Sequence, residues 1–150
     1  MTTEAPLAAV AASHHTRCIL CGKRNPRSLR LSFTPTEKGA VTARLGPHPE
    51  LQGYDGLLHG GVIAALLDGA MTHCLFHHGV EAVTGDLHVR FVRAVPCDVP
   101  VELTARTLSA RPPLYRVRAE LIADKRIMAW AEATFMRRQA HSRSDALRHE

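Results

Sequence analysis

The sequence predicts an α+β fold in which a long antiparallel sheet wraps around one central buried helix. Three observations predict it. In residues 62–75, the apolar side chains of Val62, Ile63, Ala64, Ala65, Leu66, Leu67, Ala70, Met71, Cys74 and Leu75 cover nearly all of a helical wheel. A helix apolar all round is buried all round. Two short segments of period-two alternation come before it and a longer series comes after it, joined by short connections that favour antiparallel neighbours. One buried helix must then be covered by the apolar face of that sheet.

The elements follow in order. Leu29, Leu31 and Phe33 alternate with Arg30 and Ser32 and read as a first strand, which Pro35 ends. Val41, Ala43 and Leu45 make the second, with Pro47 and Pro49 behind them. A glycine-rich stretch (Gly53, Gly56, Gly60, Gly61) leads into the helix, and Gly79 is its expected stop, with His77 and His78 in the last turn where cations suit the helix dipole. Four strands follow. Leu87, Val89 and Phe91 alternate with Asp86, His88 and Arg90; then come Val99, Val101, Leu103 and Ala105; then Tyr115, Val117, Ala119 and Leu121; and last Ile127, Ala129, Ala131, Ala133 and Phe135. Asp124-Lys125 reads as a tight turn between the last two.

Length and composition bound the function. A chain of 150 residues suits one domain, and a domain of that size buries roughly 68–70% of its unfolded surface. The expected domain runs from residue 17 to 138, between an N-terminal arm (1–16) rich in Ala and Thr and a polar tail (139–150). The 45% apolar and 22% charged residues are those of a soluble globular protein. The net charge of +5 comes mostly from Arg, without a dense basic run, and the scarce aromatics offer no stacking platform, so nucleic acid is not the expected partner. No stretch approaches the ~20 apolar residues that span a bilayer. The apolar run of residues 5–12 is short and lacks a basic lead. The four cysteines are therefore read as free thiols in a reducing cytoplasm.

One stretch carries more specific information: Gly53-Tyr-Asp-Gly-Leu-Leu-His-Gly-Gly-Val-Ile-Ala-Ala-Leu-Leu-Asp68. Its His59-Gly60-Gly61 triplet, followed by an acid eight residues after Gly60, resembles the hotdog thioesterase superfamily, in particular its PaaI-type branch of acyl-CoA thioesterases. The resemblance extends over about residues 18 to 137. The segment from Val83 to Arg93 is similar to the strand that follows the helix in these proteins, and Cys18 to Pro26 with Leu29 to Phe33 is similar to the leader many members carry. The resemblance implies a hotdog fold, an acyl-CoA substrate, no cofactor, and a homodimer or dimer of dimers.

The residues can be weighed on their own chemistry. Asp68 stands mid-helix among Leu66, Leu67, Ala65 and Ala70, where a carboxylate is costly unless partnered. It is a candidate general base or nucleophile, and the resemblance implies the catalytic role at this position. Gly60 and Gly61 open the helix, where free N–H groups and the dipole favour negative charge, so Gly60 is a candidate for the oxyanion of a thioester under attack. Gly61 would let substrate approach closely, and His59 would brace the preceding loop. Eight residues span about 12 Å of helix, so Gly60 and Asp68 of one chain cannot serve one carbonyl. Two antiparallel copies about a two-fold axis could bring them together.

The resemblance implies that Thr84 assists the water or the carboxylate; on propensity alone Thr is simply a good strand residue. Some relatives have an Asn six residues before the His. Here that position is Gly53, and neighbouring Gln52 is the candidate substitute. Arg93, by alternation on the face of Leu87, Val89 and Phe91, would place a guanidinium at the mouth of the site for coenzyme A phosphates.

The remaining signals read more plainly. Cys18-x-x-Cys21 has the spacing of half a zinc site but lacks a second cysteine pair, so it reads as a turn and no metal is expected. His73 and His77 lie four apart on the helix and read as residues of a helix end; His14-His15 falls in the arm. Two other functions remain open. A hotdog hydratase or dehydratase would pair Asp and His within one short segment, whereas His59 and Asp68 are nine apart. A non-catalytic acyl-CoA sensor would usually carry a DNA-binding domain, for which 150 residues leave no room, so it would need a separate partner.

Overall fold

The structure is a computed structural model and describes residues 14–139. Strand β1 (Thr34–Pro35) and strand β2 (Val41–Leu45) precede a 3₁₀ turn at Pro49–Leu51 and helix α1 (Gly60–His77). Strands β3 (Ala82–Phe91), β4 (Val101–Arg111), β5 (Leu114–Ala123) and β6 (Arg126–Arg137) follow. They form one six-stranded sheet in the order β1-β2-β4-β5-β6-β3, every neighbour antiparallel. This is one helix held in a curled antiparallel sheet.

Alternation sets which face is buried. Val41, Ala43 and Leu45, Leu103 and Ala105, Val117 and Leu121, and Ala131 and Phe135 all turn inward onto Leu66, Leu67, Met71 and Leu75 of α1. Leu66, Leu67, Leu103, Leu121 and Phe135 are fully buried, each worth ~1.5–3 kcal/mol over exposure. The outer face is polar: Arg118 pairs with Glu120 and Glu132 at 3.2 and 3.1 Å, with its guanidinium 4.4 Å from the Trp130 ring centre.

The helix ends where glycine permits. Gly79 (φ 72) donates to Phe76 O and Val80 N–H to Leu75 O, the paired bonds that close a helix on a left-handed residue. Asp124 and Lys125, both at positive φ, make the two-residue turn between β5 and β6.

The first expected strand is not one. Leu31 and Phe33 are buried as alternation requires, but only Thr34 and Pro35 pair with β2. Arg30 adopts φ 53, which breaks the extended run. The amides of Leu29 and Leu31 bond instead to the carbonyls of Ile19 and Leu20, so the segment belongs to the N-terminal loop. Pro35 pairs with Val41 instead of ending the strand beforehand. The strand expected from Val99 begins at Val101. A register shift between Leu121 and Ile122 turns Ile127 outward and buries Met128.

Nor is α1 buried all round. Gly61, Ala64, Ala65, Asp68 and Thr72, at helical spacing, form a stripe that this chain's own sheet leaves partly open. The stripe adjoins β3, an edge strand paired only with β6. Val83, Leu87 and Phe91 of β3 remain exposed.

Candidate active site

Helix α1 and strand β3 run antiparallel, and two clusters mark the ends of the stretch from Gly60 to Asp68 that lies along β3. At one end, Thr84 Oγ1 donates to Asp68 Oδ1 at 2.6 Å, the length of a hydroxyl bonded to a carboxylate. Sequence alternation would put Thr84 on the face opposite Leu87, Val89 and Phe91. A bulge at Gly85, between the Thr84 and Asp86 register points, returns Thr84 to the helix side. Asp68 is half-buried and Thr84 exposed, so solvent reaches the pair.

At the other end, the start of α1 opens onto a cleft of about 620 Å³. His59 caps the helix: its Nδ1 accepts the Gly61 N–H at 2.8 Å, while its own N–H donates to Leu51 O at 2.9 Å. Gly61 N–H is thus occupied within the cap. The Gly60 N–H belongs to the first turn, where the helix itself supplies no acceptor, and Gly60 lines the cleft. The Phe91 ring lies where a side chain on Gly60 would make ordinary contact, at 3.5 Å. Tyr54 and Leu57 form one wall, and Val92, Arg93 and Ala94 the other. Bonds from Leu58 N–H to Val95 O and from Cys97 N–H to Gly56 O lock the two walls together.

The predicted residues therefore fall into two groups. Asp68 and Thr84 meet; His59, Gly60 and Gly61 form the helix start; Arg93 borders the cleft. Arg93 does not reach it by strand alternation, because β3 stops at Phe91 and the amides of both Val92 and Arg93 turn to Met128 O. Gln52 lies apart: its Nε2 bonds Pro49 O and its Oε1 accepts the Gly56 N–H at 2.6 Å, so both ends of its amide hold its own loop. Within one chain His59 and Asp68 do not meet: His59 Nδ1 holds the Gly61 N–H and Asp68 holds the Thr84 hydroxyl.

Sequence reading missed Tyr54 and Phe91 as cleft residues; an aromatic at a strand's end and another in a glycine-rich loop were the available signals. It also missed Leu20, which seats on the helix at Gly69. A side-chain carbon at Gly69 would come within 2.5 Å of Leu20 Cδ1, so glycine makes room for it.

These features match a known class. The family model described as "Thioesterase superfamily" matches residues 55–130, and the chain belongs to that family. The acyl-coenzyme A thioesterase THEM4 of Bos taurus is 44% identical over 54 residues, 35% of this chain and 22% of its own length. The chain spans about a quarter of the length of the curated relatives it matches. Among solved structures, the thioesterase superfamily protein RHA08564 aligns with a TM-score of 0.74 at 24% identity, over 79% of this chain and 62% of that one. A point mutant of the phenylacetic acid degradation protein PaaI from Thermus thermophilus aligns at 0.66 and 21% identity, over 73% of this chain and 95% of its own. The fold is the hotdog fold, as the alternation and the PaaI-type resemblance predict. Among the described residues, no helix is long and apolar enough to cross a membrane.

Proposed function

We propose that the protein is an acyl-CoA thioesterase whose active site is completed by a second copy of the chain. The observation that carries the reading is the antiparallel run of α1 along an edge strand, with Asp68 and Thr84 at one end and the Gly60 amide and cleft at the other. Pairing β3 with a second β3 about a two-fold axis covers Val83 and Leu87. It also brings the Gly60 end of one copy beside the Asp68 end of its partner. An unpaired edge with exposed apolar side chains is a surface that proteins normally cover.

In such a site the thioester carbonyl points at the Gly60 N–H, where the helix dipole favours the developing oxyanion. Asp68 either takes a proton from an attacking water or attacks the carbonyl itself, and the Thr84 hydroxyl holds the carboxylate in line. When water attacks, collapse of the tetrahedral species releases the carboxylic acid and expels the coenzyme A thiolate, which takes up the proton held by Asp68. When Asp68 attacks, collapse expels the thiolate and leaves a mixed anhydride on Asp68, which water then hydrolyses to the carboxylic acid, freeing the Asp68 carboxylate and a proton for the thiolate. Tyr54, Leu57 and Phe91 would enclose the substrate beside the carbonyl, and Arg93 would meet the phosphates. The resemblance of the motif and the name of the THEM4 relative support the choice of coenzyme A thioesters.

The test is a panel of short, medium and aromatic acyl-CoA substrates assayed for free thiol release by the purified protein. Saturable turnover of at least one substrate is expected. Absence of turnover across the panel, with coenzyme A binding retained, would leave a binding protein instead of an enzyme.

A further inference from the structure

On the flank of α1, away from the Asp68–Thr84 pair, residues from two distant parts of the sequence converge. Ligand-type atoms of His15, Cys21 and His73 all lie within 4.8 Å of one another. His15 Nδ1 and Cys21 Sγ are 3.6 Å apart. His73 is only 6% exposed, and its Nε2 is buried with no hydrogen-bond partner among the described residues. An imidazole nitrogen buried without a partner pays its full desolvation cost. The ring is nonetheless held firmly, stacked on Phe33 at 4.3 Å with Phe76 at 5.1 Å. His15 is set in turn by an edge contact with Phe76 at 4.7 Å.

Cys18 stands next to Cys21, outside the group of three, in a turn built around its sulfur. The Leu20 N–H points at Cys18 Sγ at 3.4 Å, and the Gly22 N–H donates to Cys18 O at 2.8 Å. A side-chain carbon at Gly22 would fall 2.4–2.7 Å from backbone atoms of Cys18 and Thr16, so only glycine closes this turn. His73 offers a buried imidazole nitrogen and Cys21 a thiol sulfur, the donor types that zinc takes.

We propose that His15, Cys21 and His73, with Cys18 as the fourth ligand, form a structural zinc site that fastens the N-terminal loop to helix α1. A tetrahedral site with its usual zinc–nitrogen and zinc–sulfur lengths sets N and S about 3.6 Å apart, which matches the His15–Cys21 separation. Two thiolates and two imidazoles select zinc over the oxygen-seeking magnesium and calcium. The second ligand pair that Cys18-x-x-Cys21 lacks in sequence is supplied by two histidines. The metal would also hold Leu20 on Gly69, the helix residue next to Asp68, and so link the loop to the candidate catalytic stretch. The site stands independently of the thioesterase reading.

The experiment uses the full chain, kept reduced, stripped with a chelator and titrated with Co²⁺. One cobalt per chain is expected, with a thiolate-to-metal charge-transfer band and tetrahedral visible bands. Zn²⁺ should displace both signals and raise the Tm above that of the stripped protein. Cys21→Ser should lose most of the charge-transfer intensity, whereas His77→Ala, one turn along the helix and outside the cluster, should titrate like wild type. Folded, reduced wild type that binds no Co²⁺, or binds it without a thiolate band, overturns the proposal. So does a native Cys18–Cys21 disulfide in freshly purified protein. Both readings are made on wild type, so they stand even if Cys21→Ser does not fold.

Discussion

The two ends of the α1–β3 pair offer different chemistry. The Gly60 end presents backbone amides, a helix dipole and a cleft with apolar walls. Beside its amides stands His59, whose Nδ1 is taken by its own cap. The Asp68 end presents a carboxylate already bonded to a hydroxyl, on a partly open stripe of the helix. One end can polarise a carbonyl, and the other can activate a nucleophile. About 12 Å of helix separates them. On the proposed reading the difference makes the catalytic unit larger than the folded chain: a division of labour along one rigid helix becomes useful only when a second helix lies beside it in the opposite sense.

The largest test of that contrast is Asp68→Asn, which keeps shape and loses the base. A fall in kcat on the order of 10² or more is expected, the worth of a positioned acid–base group, with an unchanged circular dichroism spectrum. Near wild-type turnover on the best substrate would remove Asp68 from the chemistry.

Co-expression tests whether the ends belong to different chains. Asp68→Asn and Gly60→Val, each inactive alone, should regain about a quarter of wild-type sites when mixed, because half the pairs are mixed and each mixed pair holds one intact site. A mixture as inactive as its parents would put both ends of a site in one chain. Light scattering should give a mass of two or four chains.

Thr84→Val removes one hydrogen bond to a carboxylate, worth ~1.5–3 kcal/mol. We expect kcat to fall roughly tenfold, less than for Asp68→Asn, and Thr84→Ser to restore most of it. A Thr84→Ser variant as slow as Thr84→Val would mean that the methyl group, not the hydroxyl, is what matters.

The smallest effect is expected at the cleft mouth. Arg93→Ala should raise KM for acyl-CoA a few-fold with kcat nearly intact, the signature of lost uniform binding. The change should shrink with added salt and vanish with a pantetheine thioester that lacks the nucleotide. Equal changes in KM for both substrates would place Arg93 away from the phosphates.

Much of the architecture was legible by itself in the sequence. Dense apolar residues between Gly61 and Gly79 mark α1, and period-two alternation marks β2, β4, β5 and β6, because helix and strand periods leave different imprints on which residues must be apolar. Asp68 and Gly60 were visible because a carboxylate and a glycine pair are out of place in such a helix. Tertiary structure decided the rest. Only the Gly85 bulge turns Thr84 toward Asp68, and bulges follow from strand pairing that no single segment encodes. Only the sheet order makes β3 an edge and leaves Val83 and Leu87 exposed. The backbone bonds to Ile19 and Leu20 drew Leu29 and Leu31 out of the sheet despite their alternation. His15 and His73, read apart as an arm residue and a helix-end residue, meet beside Cys21 because folding brings distant segments together, which local pattern cannot record.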